Sequence, residues 1–480
     1  MIFSKDHFPE PTFIKNALQL IVCSETRPAL TAGFLIPFEE NVMTVRRTLF
    51  KGGTILTLDA SVPDLVCGDV LIEDERIAAV GENLSADDAQ VIDARGHIVM
   101  PGLVDAHHHM WLGAMRRLMP NVDDLFVYID VVAETLGAHY RPLDMYLSTR
   151  LTALACLDAG ITTVIDACHS SRSPAHTDAA LDALQESGIR ALHMVGAAMD
   201  KQASSDHLPG DLARLASRWN QAGSRVQVGL FGQLNLAWWR VARELDMRIL
   251  TEFIGDLAQL PAEFAEAGLL GPHNIFNHCT RVPAHTWQQL ADAGVNITVN
   301  PRSDALFGFD DDSFAWQQAV DRGMTPALGI DLDTAFGSDL FGEMQALFNQ
   351  QRSAMRYRRF RGESDVPAPI SVEAVLQSAT INGARAAGLE QQTGTLTPGK
   401  QADVIMLRTD GIGVFPLTSV TATVVQAVQR ADVDTVMVAG ELRKRHGQLL
   451  NVDVAQLNAE ITASRDYLLN ASGYHHPLFA

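Results

Sequence analysis

The sequence predicts an α/β fold, a (β/α)8 barrel with a small β-sandwich domain formed from both chain ends. Three observations carry that expectation. Between residues 98 and 392, apolar runs of strand length alternate eight times with amphipathic segments of helix length, the rhythm of parallel β/α units. On either side lie short β-rich runs with turn signals, too few at either end to close a core alone. Isolated His and Asp residues follow the last apolar residue of several central runs, and in such a barrel the strand C-termini carry the chemistry.

The 480 residues suffice for two to three domains, a barrel counting as one large one. A formal charge of −20 argues against a nucleic-acid or anionic-membrane surface, which would repel so acidic a chain. The five cysteines, Cys23, Cys67, Cys156, Cys168 and Cys279, are scattered without a C-x-x-C, as expected of reduced thiols in a cytoplasmic protein. No run approaches the roughly 18 apolar residues of a spanning helix. No basic segment followed by a long apolar core opens the chain, so no secretory signal is expected.

In chain order, residues 1–42 show no clean period, are punctuated by Pro9, Pro11, Pro28 and Pro37, and are expected to form an extension. Residues 43–97 supply the first half of the sandwich, with a hairpin tip at Glu73-Asp74-Glu75-Arg76. Barrel strands are expected at 98–105, 162–167, 190–195, 226–230, 248–253, 274–277, 296–299 and 325–330. Helices are expected at 142–158, 175–187, 212–222, 238–245, 284–293 and 342–359. Residues 393–450 complete the sandwich, through a Pro398-Gly399 turn into a buried strand and a second hairpin over 433–443. Residues 451–480 read as a C-terminal helix and tail.

The first barrel strand runs through Pro101-Gly102 into His107-His108-His109. Alternation places His107 and His109 on one face and His108 on the other. Two neutral imidazoles on one face suit a divalent transition metal. Asp331 follows the apolar Ala327-Leu328-Gly329-Ile330, where a lone carboxylate is costly to bury unless paired or coordinated. Asp333, two residues on, is the runner-up and reads better as a cap or loop contact. His278 ends the sixth run, and a core histidine is its alternative reading. His193, in mid-strand, reads equally as a satisfied core residue.

The run Val99-Met100-Pro101-Gly102-Leu103-Val104-Asp105-Ala106-His107-His108-His109 resembles the signature P-G-x-[VI]-D-x-H-x-H of the amidohydrolase superfamily. The resemblance spans roughly residues 44–450 and is nearest to the cytosine deaminase and triazine hydrolase-like branch. It implies one divalent metal ion, zinc first, with iron or manganese as alternatives. His107, His109 and Asp331 would be ligands, with Asp331 also taking a proton from the attacking water. His278 would stabilise charge developing on the substrate, and His169 would line the pocket. Where relatives show a strand-five histidine within H-x-x-E, this chain has Glu252, and Gly255 stands at the glutamate's place. Glu252 is expected to serve as fourth ligand and to move the site's preference toward harder ions. Its alternative is a salt-bridged carboxylate in a site with little metal. Without the H-x-x-E glutamate, Asp331, Asp256 or Asp333 would have to move protons.

Among the substrate loops, Trp111 is placed as a roof over a flat substrate and Arg302 as a clamp. Arg116 or Arg117 could meet a carboxylate, Trp238 and Trp239 read as helix packing, and Phe307 to Asp312 as a solvated turn. The implied activity is metal-dependent hydrolysis of a non-peptide C–N bond in an amino-heterocycle, amidine or cyclic amide. The partner would be a small-molecule substrate, with neither nucleic acid nor membrane, and the family implies a homo-oligomer. The rival is an altered member of the fold, either a non-hydrolytic lyase or isomerase or a metal-poor binding protein, which Glu252 keeps in play.

Overall fold

The computed structural model describes residues 46–85, 87–200, 205–254, 260–309 and 314–476. The expected extension over 1–42 lies outside the described residues, as do Gly255, Asp256 and Asp310 to Asp312.

Eight parallel strands form the barrel: β6 (Leu103–His108), β7 (Ile161–Ser171), β8 (Arg190–Ala197), β9 (Val226–Phe231), β10 (Ile249–Ile254), β11 (Asn274–Thr280), β12 (Asn296–Val299) and β13 (Ala327–Leu328). All eight runs expected from the sequence are strands. The ring closes just beyond β13. Ile330 N and Asp331 N donate to His107 O at 3.0 and 2.9 Å, and His109 N donates to Asp331 O at 3.0 Å. The backbone bonds that shut the barrel are thus made by the residues that carry its polar cluster.

The outer sheet draws on both chain ends. β1 (Arg47–Ile55), β2 (Leu65–Glu73), β3 (Arg76–Gly81), β4 (Gln90–Asp93) and β5 (His97–Pro101) come before the barrel. β14 (Val404–Arg408), β15 (Val433–Val438), β16 (Glu441–Arg445) and β17 (Gln448–Leu449) come after it. Hydrogen bonding is continuous in the order β17-β16-β15-β14-β5-β1-β2-β3, with β4 parallel to β1. Phe50, Val70, Ile72, Val99, Val404 and Met437 fill a core of its own. Both expected hairpins form, with Asp74 and Gly440 in the left-handed region at φ 51° and 73°.

One expected strand is really two. The run 98–105 breaks at Pro101-Gly102, β5 pairing with β14 and β1 in the outer sheet while β6 enters the barrel. Both halves are buried, so apolar content alone could not divide them. Gly102 is required at the break, because a Cβ there would lie 2.1 Å from Thr162 Oγ1. Gly102→Ala is expected to cost at least about 1–3 kcal/mol by overpacking. Denaturant unfolding checks this, and Thr162→Ala in the same chain should restore part of the loss.

The barrel is tied to the outer sheet by a buried ion pair. Arg190 Nε lies 2.8 Å from Asp403 Oδ2, Arg190 Nη2 bonds Asp403 Oδ1 and Gln401 Oε1, and Ala439 N donates to Asp403 Oδ1. Arg190→Met strands the carboxylate and should lower stability by about 3–5 kcal/mol. The double variant Arg190→Met/Asp403→Leu should lose distinctly less. Chemical denaturation of both variants decides it.

Helices Pro142–Asp158 and Ala284–Ala293 match their expected spans, and the helix expected at 342–359 runs Leu340–Phe360. The segment after β6 carries short helices that sequence reading passed over. Met110–Met115 is a 3-10 turn, and Leu125–Ile129 starts from Asp124, whose carboxylate accepts from Phe126 N. The C-terminal helix Val454–Ser472 packs on this segment through Leu468 and on helix Pro142–Asp158 through the Ser464 hydroxyl, which donates to Asp144 Oδ1. Among the described residues no helix is long and apolar enough to cross a membrane.

Candidate active site

Five side chains from four strand ends meet at one mouth of the barrel. His107 and His109 come from β6 and its end, Glu252 from β10, His278 from β11, and Asp331 from just past β13. His107 Nε2 is 3.2 Å from Glu252 Oε1 and 3.4 Å from Asp331 Oδ1. His109 Nε2 is 3.2 Å from the same Asp331 oxygen and 3.7 Å from Glu252 Oε1. His278 Nε2 reaches Glu252 Oε2 at 3.3 Å and Asp331 Oδ2 at 3.8 Å.

Four of the five side chains, all but His107, are held by a further hydrogen bond. His109 donates from Nδ1 to Ala167 O at 2.6 Å, which leaves the Nε2 lone pair for the cluster. His278 Nδ1 is tied to Asp304 Oδ1 at 2.6 Å. Asn277 Nδ2 donates to Glu252 Oε2, and the Ser303 hydroxyl donates to Asp331 Oδ2. Strand continuity is given up to aim two of the groups. The β10–β11 register shifts after Phe253↔His278, and His278, Cys279 and Asp331 adopt φ of 62°, 54° and 72°. Such conformations cost on the order of 1–3 kcal/mol each and gather where function needs them.

The donor set fits a divalent cation. Both ring nitrogens of His107 and Glu252 Oε1 are buried without a hydrogen-bond partner, a costly arrangement unless another group is shared among them. Potential ligand atoms of His107, His109 and Glu252 all lie within 4.8 Å of one another, as do those of His107, His278 and Asp331. Burial opposes charge on His107, but Glu252 and Asp331 override it and push the imidazole up to about 9. Burial likewise opposes ionisation of Glu252 and Asp331, and the facing imidazoles hold both well below the usual carboxylate range. Protons on imidazole and positive charge from a cation answer the same two carboxylates.

The remaining candidates divide. His169 ends β7 and lines the cavity, its ring 4.6 Å from that of His109; burial, then His109, pushes it down to about 3, so it is neutral. Trp111 does not roof the site. It is buried behind His169, ring to ring at 5.2 Å, and its carbonyl accepts from the Tyr140 hydroxyl. Arg302 is no clamp either. It pairs with Glu343, donates to Gly337 O and Asp339 O, and covers the Phe336 ring. The helix starting at Pro301 turns it away from the mouth, toward a buried carboxylate that must be answered. Arg116 is likewise spent on Asp333 at 2.9 Å. Asp333 belongs to a buried network with Thr152, Ser338 and His108, whose other nitrogen bonds Asp105. That network lies on the face of β6 opposite the cluster, as strand alternation requires. His193 is a core residue tied to Asp166 at 2.7 Å.

Above the cluster lies a cavity of about 700 Å³. Leu125, Tyr128, Phe231, Trp238, Phe307 and Phe309 are among its walls. Trp238, expected to pack within its helix, faces this space, whereas Trp239 is fully buried. The turn expected to be solvated instead brings Phe307 and Phe309 together, stacked at 5.0 Å, with Phe309 5.8 Å from His278. Phe307 and Phe309 lie past the short helix Pro301–Leu306 without a periodic signal, and only their hydrophobicity so close to a strand end could have hinted at their place.

The family model for the amidohydrolase family matches residues 246–443. A 5-methylthioadenosine/S-adenosylhomocysteine deaminase of Desulfitobacterium hafniense is 28% identical over 82% of this chain and 92% of its own. A 5'-deoxyadenosine deaminase of Methanosarcina acetivorans is 25% identical over 88% and 98%. Among solved structures, atrazine chlorohydrolase TrzN from Arthrobacter aurescens, complexed with zinc, superposes with TM-score 0.75 at 23% identity, covering 87% of this chain and all of its own. An adenosine deaminase from Xanthomonas campestris with bound zinc gives 0.75 at 21%, covering 88% and 98%. Barrel, strand-end cluster and relatives together define the class: a hydrolase acting on C–N bonds other than peptide bonds. Over residues 246–443 the chain matches the amidohydrolase family model, and along most of its length it is similar to these deaminases.

Proposed function

We propose that this chain is a hydrolytic deaminase of a flat, amino-substituted nitrogen heterocycle, with one divalent cation held by His107, His109, Glu252 and Asp331. The observation that carries this reading is the convergence of those four side chains, with His278, beneath an aromatic cavity. The deaminases of adenosine-type nucleosides among its relatives support the heterocycle.

When bound, the cation lowers the pKa of a water toward neutrality and so supplies the nucleophile. The cavity walls hold the ring flat and keep bulk water from the reacting carbon. Asp331 turns Oδ1 to the imidazoles of β6 and Oδ2 to Ser303 and His278. Oδ2 accepts the proton released as water adds to the carbon bearing the amino group, and returns it to the departing nitrogen. The proton left on the new hydroxyl passes to the ring nitrogen, so that water and amine become a ring carbonyl and ammonia. His278, fixed through Asp304, presents Nε2 to the charge that develops on the ring. No second glutamate is needed in this scheme, since Asp331 performs both transfers.

The test is metal analysis of the purified chain together with ammonia release from a panel of aminopurines, aminopyrimidines and aminotriazines. About one metal ion per chain and metal-dependent ammonia release are expected. A metal-loaded chain that releases none overturns the reading.

A further inference from the structure

We infer that the cavity selects heterocycles whose substituents are uncharged, and that the Tyr128 hydroxyl is a substrate-contacting donor at that site. This deepens the deaminase reading and rests on it. The first support is the charge of the walls. Among the described residues lining the cavity there is no Lys or Arg; the ionisable groups are the cluster itself, His169 and Tyr128. Glu252 and Asp331 would cancel the charge of a bound dication, so an anionic substituent would meet no net positive field. The arginines that the sequence offered as substrate contacts, Arg302 and Arg116, are already committed, to Glu343 and Asp333. An ionised group drawn into such a site loses its water without gaining a partner. The whole chain, at −20, adds to the repulsion.

The second support is Tyr128. It sits on helix Leu125–Ile129, lines the cavity and is only 6% exposed, yet its hydroxyl has no hydrogen-bond partner. Its ring meets the edge of Phe307 at 5.9 Å, which fixes the side chain in the wall. A buried phenol ordinarily finds a partner, and a ring nitrogen or sugar oxygen of the substrate supplies one. The volume of about 700 Å³ falls in the range used by drug-sized ligands, leaving space for a ring and an apolar arm against Leu125, Ile129 and Trp238.

The test compares three substrates sharing one base. 5-Methylthioadenosine has an uncharged arm, S-adenosylhomocysteine an arm ending in ammonium and carboxylate, and adenosine 5'-monophosphate a phosphate. Ammonia release and calorimetric Kd are measured for each, with the wild type, Tyr128→Phe and Leu234→Arg. The uncharged substrate should exceed the phosphate in kcat/KM by at least about 100-fold. Tyr128→Phe should raise KM for it by about 10-fold. Leu234→Arg, which puts a cation in the wall, should narrow the gap by about 10-fold. Equal or better turnover of the phosphate, or an unchanged KM in Tyr128→Phe, overturns the inference and leaves deamination standing. If no ammonia appears from any of the three, deamination of this class fails and Kd decides. Tighter binding of the uncharged compound, weakened by Tyr128→Phe, supports the inference; equal or absent binding overturns it.

Discussion

Asp331→Asn should lower kcat for ammonia release by about 10³-fold, within the range that positioned proton transfer supplies. The amide keeps the shape of the side chain and leaves the backbone bonds between Asp331 and β6 intact, so the barrel should still close. It cannot accept a proton at the oxygen that faces Ser303 and His278. It also removes one of the two negative charges that the imidazoles answer. A thermal midpoint near that of the wild type, together with the loss in kcat, would place the defect in proton transfer. Wild-type rates in the variant would remove Asp331 from the mechanism.

The second large effect is expected at Glu252. Its Oε1 is buried without a hydrogen-bond partner and lies 3.2 and 3.7 Å from the Nε2 atoms of His107 and His109. Glu252→Ala should weaken metal affinity by more than the roughly 10–100-fold that loss of an outer partner costs. Glu252→His should keep the metal and shift its preference from manganese or iron toward zinc, because imidazole is the softer donor. Competitive loading followed by elemental analysis reads both, without recourse to activity. Unchanged affinity and unchanged metal content in Glu252→Ala would make this carboxylate an ion-pair partner of the imidazoles and nothing more.

Much of the scaffold was legible because it is local. Apolar runs of strand length mark the buried barrel strands, and β12 and helices Pro142–Asp158 and Ala284–Ala293 fall at their expected bounds. Polar residues at the ends of such runs are conspicuous for the same reason. His107, His109, Glu252, His278 and Asp331 were picked out one by one, and the structure brings them together. Alternation also sent His108 to the other face, where Asp105 and Asp333 meet it.

The residues that were misplaced are those whose long side chains leave a loop or a helix start. Arg302 follows β12 as a clamp would, but Glu343, on a distant helix, is buried and takes its charge. Trp111 is next to the cluster in sequence, yet Tyr140 and His169 enclose it. Phe309 is drawn inward beside His278 although acidic residues follow it in the chain.

The amino-acid order alone thus determined eight strands, the intervening helices, and which ionisable groups stand at the strand ends, since all of these depend on spacing along the chain. Tertiary structure decided that the run through Pro101-Gly102 serves two sheets, that Trp238, Tyr128 and Phe309 wall the cavity, and that Arg302 and Trp111 do not. Those outcomes depend on which partner a side chain finds across the fold, and burial of charge and close packing are settled only when all the neighbours are in place.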